Sequence, residues 1–98
     1  MSEPIYKFFR GKFLPDWYQL SKEEQKSLLA KLDEARAKLG VKMVLLCETY
    51  WSTDQWKWAG VEEFPNIDTV QKYMTALYEL NWSRYCEASS ELGTKAPT

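Results

Sequence analysis

Between Val41 and Phe64 the chain reads VKMVLLCETYWSTDQWKWAGVEEF, two apolar stretches on either side of the polar Ser52-Thr53-Asp54-Gln55. Runs rich in β-branched and aromatic residues around a short polar break predict a β-hairpin. From Gln55 the residues alternate, with Trp56, Trp58, Gly60 and Glu62 on one side and Lys57, Ala59, Val61 and Glu63 on the other. In the first strand Val41, Met43, Leu45, Cys47, Thr49 and Trp51 share a face, against Lys42, Val44, Leu46, Glu48 and Tyr50. Both faces are apolar in the middle, which predicts cover on both. Trp51 and Trp56 flank the loop as a potential cross-strand aromatic pair.

The same patterning assigns the remaining elements. IYKFFRGKF, from Ile5 to Phe13, suits a strand, with Tyr6, Phe8, Arg10 and Lys12 opposite Ile5, Lys7, Phe9, Gly11 and Phe13. Pro15 and Asp16 break it, and the following Trp17-Tyr18-Gln19-Leu20 has room for a helical turn. Ser21-Lys22-Glu23-Glu24 is a capping box that opens a long helix. Leu28, Leu32, Ala35 and Leu39 form its buried stripe, and Gly40 closes it. Asn66 caps a second helix, whose inward stripe is Val70, Met74 and Leu77, and which ends near Asn81. Alternation over Trp82–Leu92 favours a fourth strand, although Cys86–Leu92 would also tolerate a helix. Residues 93–98 form a polar tail. The order is β-α-β-β-α-β, an α+β ferredoxin-like unit over a single domain, 1–98. Its two helices should cover one face of a four-stranded antiparallel sheet. The aromatic residues on the other face call for a second copy of the chain.

Composition narrows the function. A formal net charge of −1, with both signs interspersed, gives no basic surface for nucleic acid and no polybasic cluster for membranes. The apolar runs are too short to span a bilayer and the opening MSEPIYK has no leader-like apolar core, so a cytoplasmic protein is expected. Cys47 and Cys86 are too few for a disulfide scaffold or metal cluster and read as free buried thiols. There is no histidine, which removes Ser-His-Asp and Cys-His catalysis, His-ligated haem and the commoner zinc sites. No cofactor and no metal site is expected.

Four segments, FFRGKF, PDWYQLSKEE, GVEEFPNIDTVQKYM and LNWSRYCE, span most of the chain and resemble the dimeric α+β barrel proteins. That superfamily includes antibiotic-biosynthesis monooxygenases, EthD-like proteins and muconolactone isomerases. The resemblance implies a homodimer or higher homo-oligomer and a small aromatic or carbonyl-bearing ligand. Catalysis, where present, would be cofactor-independent: oxygenation, isomerisation or lyase-type proton transfer. The rival is a non-enzymatic structural or partner-binding domain whose aromatic face is an interface.

Candidate site residues follow from charge and aromaticity inside predicted strands. Arg10, Glu48 and Arg84 either face water, pair between subunits, or serve a ligand: an arginine holding an oxygen, Glu48 acting as base or orienter. The last reading places them in one cavity with Tyr6 and Tyr50, and makes Glu48, Tyr50 and Arg10 the catalytic candidates. Trp58, with Trp51, Trp56 and Trp82, packs a core or interface, or forms a stacking platform for a planar ligand. Glu62-Glu63 reads as a solvated pair.

Overall fold

The computed structural model describes residues 3–97; Met1 and Ser2 of the opening segment and Thr98 of the polar tail lie outside the described residues. Strand β1 (Ile5–Phe13) leads through a single turn, α1 (Pro15–Tyr18), into the helix α2 (Lys22–Leu39). The hairpin strands β2 (Lys42–Glu48) and β3 (Trp58–Phe64) follow, then α3 (Ile67–Glu79), a second short turn α4 (Trp82–Tyr85) and β4 (Cys86–Gly93). All strand pairs are antiparallel, in the order β2-β3-β1-β4. This is the ferredoxin-like α+β fold expected from the element order.

Local signals act as the sequence suggests. Ser21 Oγ accepts from the Glu24 backbone N–H, and the Glu24 carboxylate accepts from the Ser21 N–H, which completes the capping box of α2. Gly40 takes the left-handed conformation at the other end (φ 71°). Asn66 Oδ1 accepts from the Thr69 N–H and caps α3.

Three expectations are corrected. The hairpin is shorter than predicted: β2 stops at Glu48 and β3 begins at Trp58. Trp51 lies exposed with its Nε1 donating to the Glu48 carbonyl, whereas Trp56 is buried, so the two do not form a cross-strand pair. The alternation in β2 is broken by a bulge between Met43 and Leu45, which seats Met43, Leu46 and Glu48 opposite Glu62, Gly60 and Trp58. One extra residue reverses the faces beyond it. The last segment is a helical turn before it is a strand, because Asn81 adopts the left-handed region (φ 59°), which asparagine tolerates, and restarts a turn carrying Arg84. Cys47, expected to be buried, is exposed; Cys86 is buried.

Packing is divided. At one end of the sheet–helix layer Val41, Phe64, Val70 and Tyr73 form the core. At the other, Phe13 stacks on Trp17 (centroids 4.2 Å apart), with Trp58 and Trp82 against the same ring. Trp58 lies directly over β1, where a side chain at Gly11 would come within 2.5 Å of its indole. The opposite sheet face is bare in the single chain, with Phe8 48% and Leu45 56% exposed. No helix among the described residues is long and apolar enough to cross a membrane.

Candidate functional site

Between these two clusters the sheet and helices leave a cavity of about 440 Å³, walled by Phe9, Trp58, Trp82 and Tyr73 and by the charged Lys7, Glu62 and Arg36. β1 and β3 seat Lys7 directly across from Glu62, both facing the helices. Each is buried, at 8% and 3% exposure. Arg36, on the inner side of α2 one turn after Leu32, donates from Nε to Glu62 Oε2 at 2.8 Å and from Nη1 to Asp33 Oδ1 at 2.8 Å. Lys7 Nζ stands 4.0 Å from Glu62 Oε1 and donates to the Met74 thioether at 3.5 Å. Both cations lie 5.8 Å from the Tyr73 ring centre.

Burial sets the protonation states here. It pulls the Lys7 ammonium below its ordinary range, Arg36 adds to this, and Glu62 only partly opposes it. Burial also works against the charge of Arg36, but the Glu62 hydrogen bond outweighs it and the net direction is upward. The Tyr73 phenol is raised by burial and by the neighbouring Glu62 charge, so it stays protonated. The Cys86 thiol in the same wall is pushed up to about 11 by burial.

None of Lys7, Arg36, Glu62 and Tyr73 was singled out from sequence as a site residue. Glu62, read there as half of a solvated pair, is among the least exposed residues. A signal was present: Lys7 shares its strand face with Ile5, Phe9 and Phe13, and Glu62 follows Trp58 and Gly60 on its own. A lone charge on each of two apolar faces is intelligible if the faces meet.

The residues expected from sequence are divided by the fold. Trp58 lines the cavity. Glu48 and Tyr50 line an adjoining groove of about 530 Å³ that shares Phe9, Trp58 and Trp82 with it. Arg10 opens on the other side of the sheet, in a groove with Phe8, Leu45 and Val61. Tyr6, two residues earlier in the alternation than Phe8, belongs to that face. Arg84 sits on α4, where its Nε donates to exposed Asp16 at 3.0 Å and ties α4 to α1. Within one chain Arg10, Glu48, Arg84, Tyr6 and Tyr50 therefore do not converge on a common cavity. No group of three or more His, Cys, Asp or Glu side chains among the described residues is placed to hold a metal ion.

No family model matches the chain, and no curated protein matches it in sequence. Solved structures do. A variant chlorite dismutase from Candidatus Nitrospira defluvii aligns over 100% of this chain with a TM-score of 0.76 at 12% identity. A structure described as a heme-binding protein from Thermus thermophilus aligns over 95% with a TM-score of 0.65 at 21% identity. The chain spans about two fifths of the length of each, 42% and 40%. A haem does not fit the cavity of this chain as it stands. Haem iron is held by an axial imidazole, thiolate, thioether or phenolate. The chain has no histidine, Cys86 and Tyr73 are held protonated, and the Met74 sulfur already accepts from Lys7. At these identities the likeness is one of architecture: the chain shares with these proteins a four-stranded antiparallel sheet backed by helices, the ferredoxin-like α+β fold.

Proposed function

We propose that this chain binds a small aromatic or carbonyl-bearing molecule between its sheet and its helices, and works as one half of a homodimeric α+β barrel in the cytoplasm. The observation that carries the reading is the cavity of about 440 Å³ with aromatic walls and a few convergent polar groups. Small-molecule sites are built this way, commonly at roughly 300–1,000 Å³.

The bare sheet face supports the homodimer. Its apolar centre is flanked by bases at Arg10, Lys12 and Lys42 and acids at Glu63, Glu87 and Glu91. With both signs present, a copy related by two-fold symmetry can set its acids against its partner's bases. In such a dimer Tyr6 and Arg10 would line the closed interior. The finer reading, from the resemblance to antibiotic-biosynthesis monooxygenases and EthD-like proteins, is cofactor-independent chemistry on the bound molecule. Glu48 and Tyr50 in the adjoining groove, and Lys7 and Glu62 deeper in, are the groups able to orient it or move a proton.

Two measurements test this. Sedimentation at micromolar concentration should give a dimer; a monomer there removes the argument for the closed barrel. A thermal-shift screen of small aromatic aldehydes, ketones and acids, followed by NMR mapping, should find binders that shift the Trp58 and Trp82 indole signals. Absence of any binder at millimolar concentration would overturn the ligand reading in favour of a purely structural domain.

A further inference from the structure

Around the cavity two cations share one buried carboxylate. Glu62 is committed through Oε2 to Arg36 at 2.8 Å, while Lys7 has only Oε1 at 4.0 Å and a thioether sulfur at 3.5 Å. An ammonium carries three donors, and a thioether is a weak acceptor. Asp33 answers Arg36 from the surface, with its side chain 79% exposed, and does nothing for Lys7. The buried wall therefore holds Lys7 and Arg36 against Glu62 alone, a surplus of one positive charge, and an incompletely paired buried charge is costly.

We propose that Lys7 anchors a single anionic group of the ligand, a carboxylate carried on a planar aromatic or conjugated body. This rests on the small-molecule reading above and names the class of molecule. One net positive charge matches a monoanion; a dianionic phosphate would leave the wall overcompensated. Phe9, Trp58 and Trp82 in the same wall supply flat apolar area for the body of the molecule. Arg36 is already saturated by Glu62 and Asp33, so the new partner falls to Lys7. The downward pull of burial on the Lys7 ammonium agrees with a cation lacking its full partner, and a bound carboxylate would restore it.

The test is an NMR titration of the native protein with naphthoate and with its uncharged analogue naphthamide, at equal ionic strength. Naphthoate should bind at least about tenfold more tightly, as expected for a hydrogen bond to a charged partner, with shifts at the Trp58 and Trp82 indoles. Lys7→Met should abolish the preference and leave naphthamide affinity unchanged. Should that variant not fold, the native protein decides: naphthoate affinity should fall to that of naphthamide as pH rises and Lys7 loses its proton. Equal affinities, a preference that survives Lys7→Met, or one indifferent to that pH rise would overturn the anion anchor and leave the cavity reading standing. Failure of both compounds to bind would remove the cavity reading and the anchor with it.

Discussion

Replacing Arg36 by methionine keeps the aliphatic stem that packs beside Leu32 and removes the cation. The lost contact is the 2.8 Å bond to Glu62, between side chains 19% and 4% exposed. At that separation, and an effective dielectric near 20, the gross attraction is about 6 kcal/mol. Desolvating the two ions has already used part of it, at several kcal/mol each. What remains after truncation is Glu62 buried beside Lys7 at 4.0 Å. Removing one member of a buried pair costs about 3–5 kcal/mol, and the nearby Lys7 holds the expected loss to the lower end, about 3 kcal/mol. Domains of this size are stable by only about 5–15 kcal/mol. The assay is urea unfolding followed by tryptophan fluorescence, in which the midpoint should fall by about 1–3 M at the usual slope of about 1–3 kcal/mol/M. Arg84→Met is the control, since its bond to Asp16 lies between exposed side chains and its loss should barely move the midpoint. A double-mutant cycle with Glu62→Gln should show the two costs to be less than additive. If Arg36→Met shifts the midpoint no more than Arg84→Met, the buried cluster does not stabilise the fold as argued.

Three further outcomes follow from the same geometry. The folded-state pKa of Lys7 is below its free value of 10.5, so above the lowered pKa the unfolded chain holds more protons and stability should climb as pH rises toward 10.5. Urea melts of Lys7→Met should lack that part of the climb; parallel curves for the two proteins would contradict the assignment. A thiol reagent should label exposed Cys47 quickly and Cys86 only on unfolding, since Cys86 is buried with its thiol pushed up to about 11. Raising the protein concentration should slow Cys47 if the bare sheet face pairs with itself. Gly60→Ala should cost about 1–3 kcal/mol, because the added carbon would meet the Leu45 carbonyl and come within 2.7 Å of the Phe9 ring. Gly93→Ala, where the nearest atom is 3.4 Å away, should be nearly neutral in the same melts.

Local chemistry settled a large part of this protein. The capping box at Ser21, the left-handed Gly40, the Asn66 cap and the two periodicities depend on neighbours in the chain, so they are legible from residue order alone, and with them the β-α-β-β-α-β succession. The failures lie where distant segments decide. The bulge at Val44 and the early end of β2 reflect how β2 must register against β3, which no count along one strand reveals. Asn81 turns the chain once before β4, a backbone choice fixed by packing α4 and α1 together, with Arg84 drawn to Asp16. Lys7 and Glu62 lie 55 positions apart and look like ordinary solvated charges until β1 is laid beside β3. Arg36 joins them only when α2 crosses above. Sequence pattern alone assigned the elements and their inward faces. Tertiary packing decided which charges were buried, because burial and pairing are properties of surfaces that meet only after the sheet and helices close on one another.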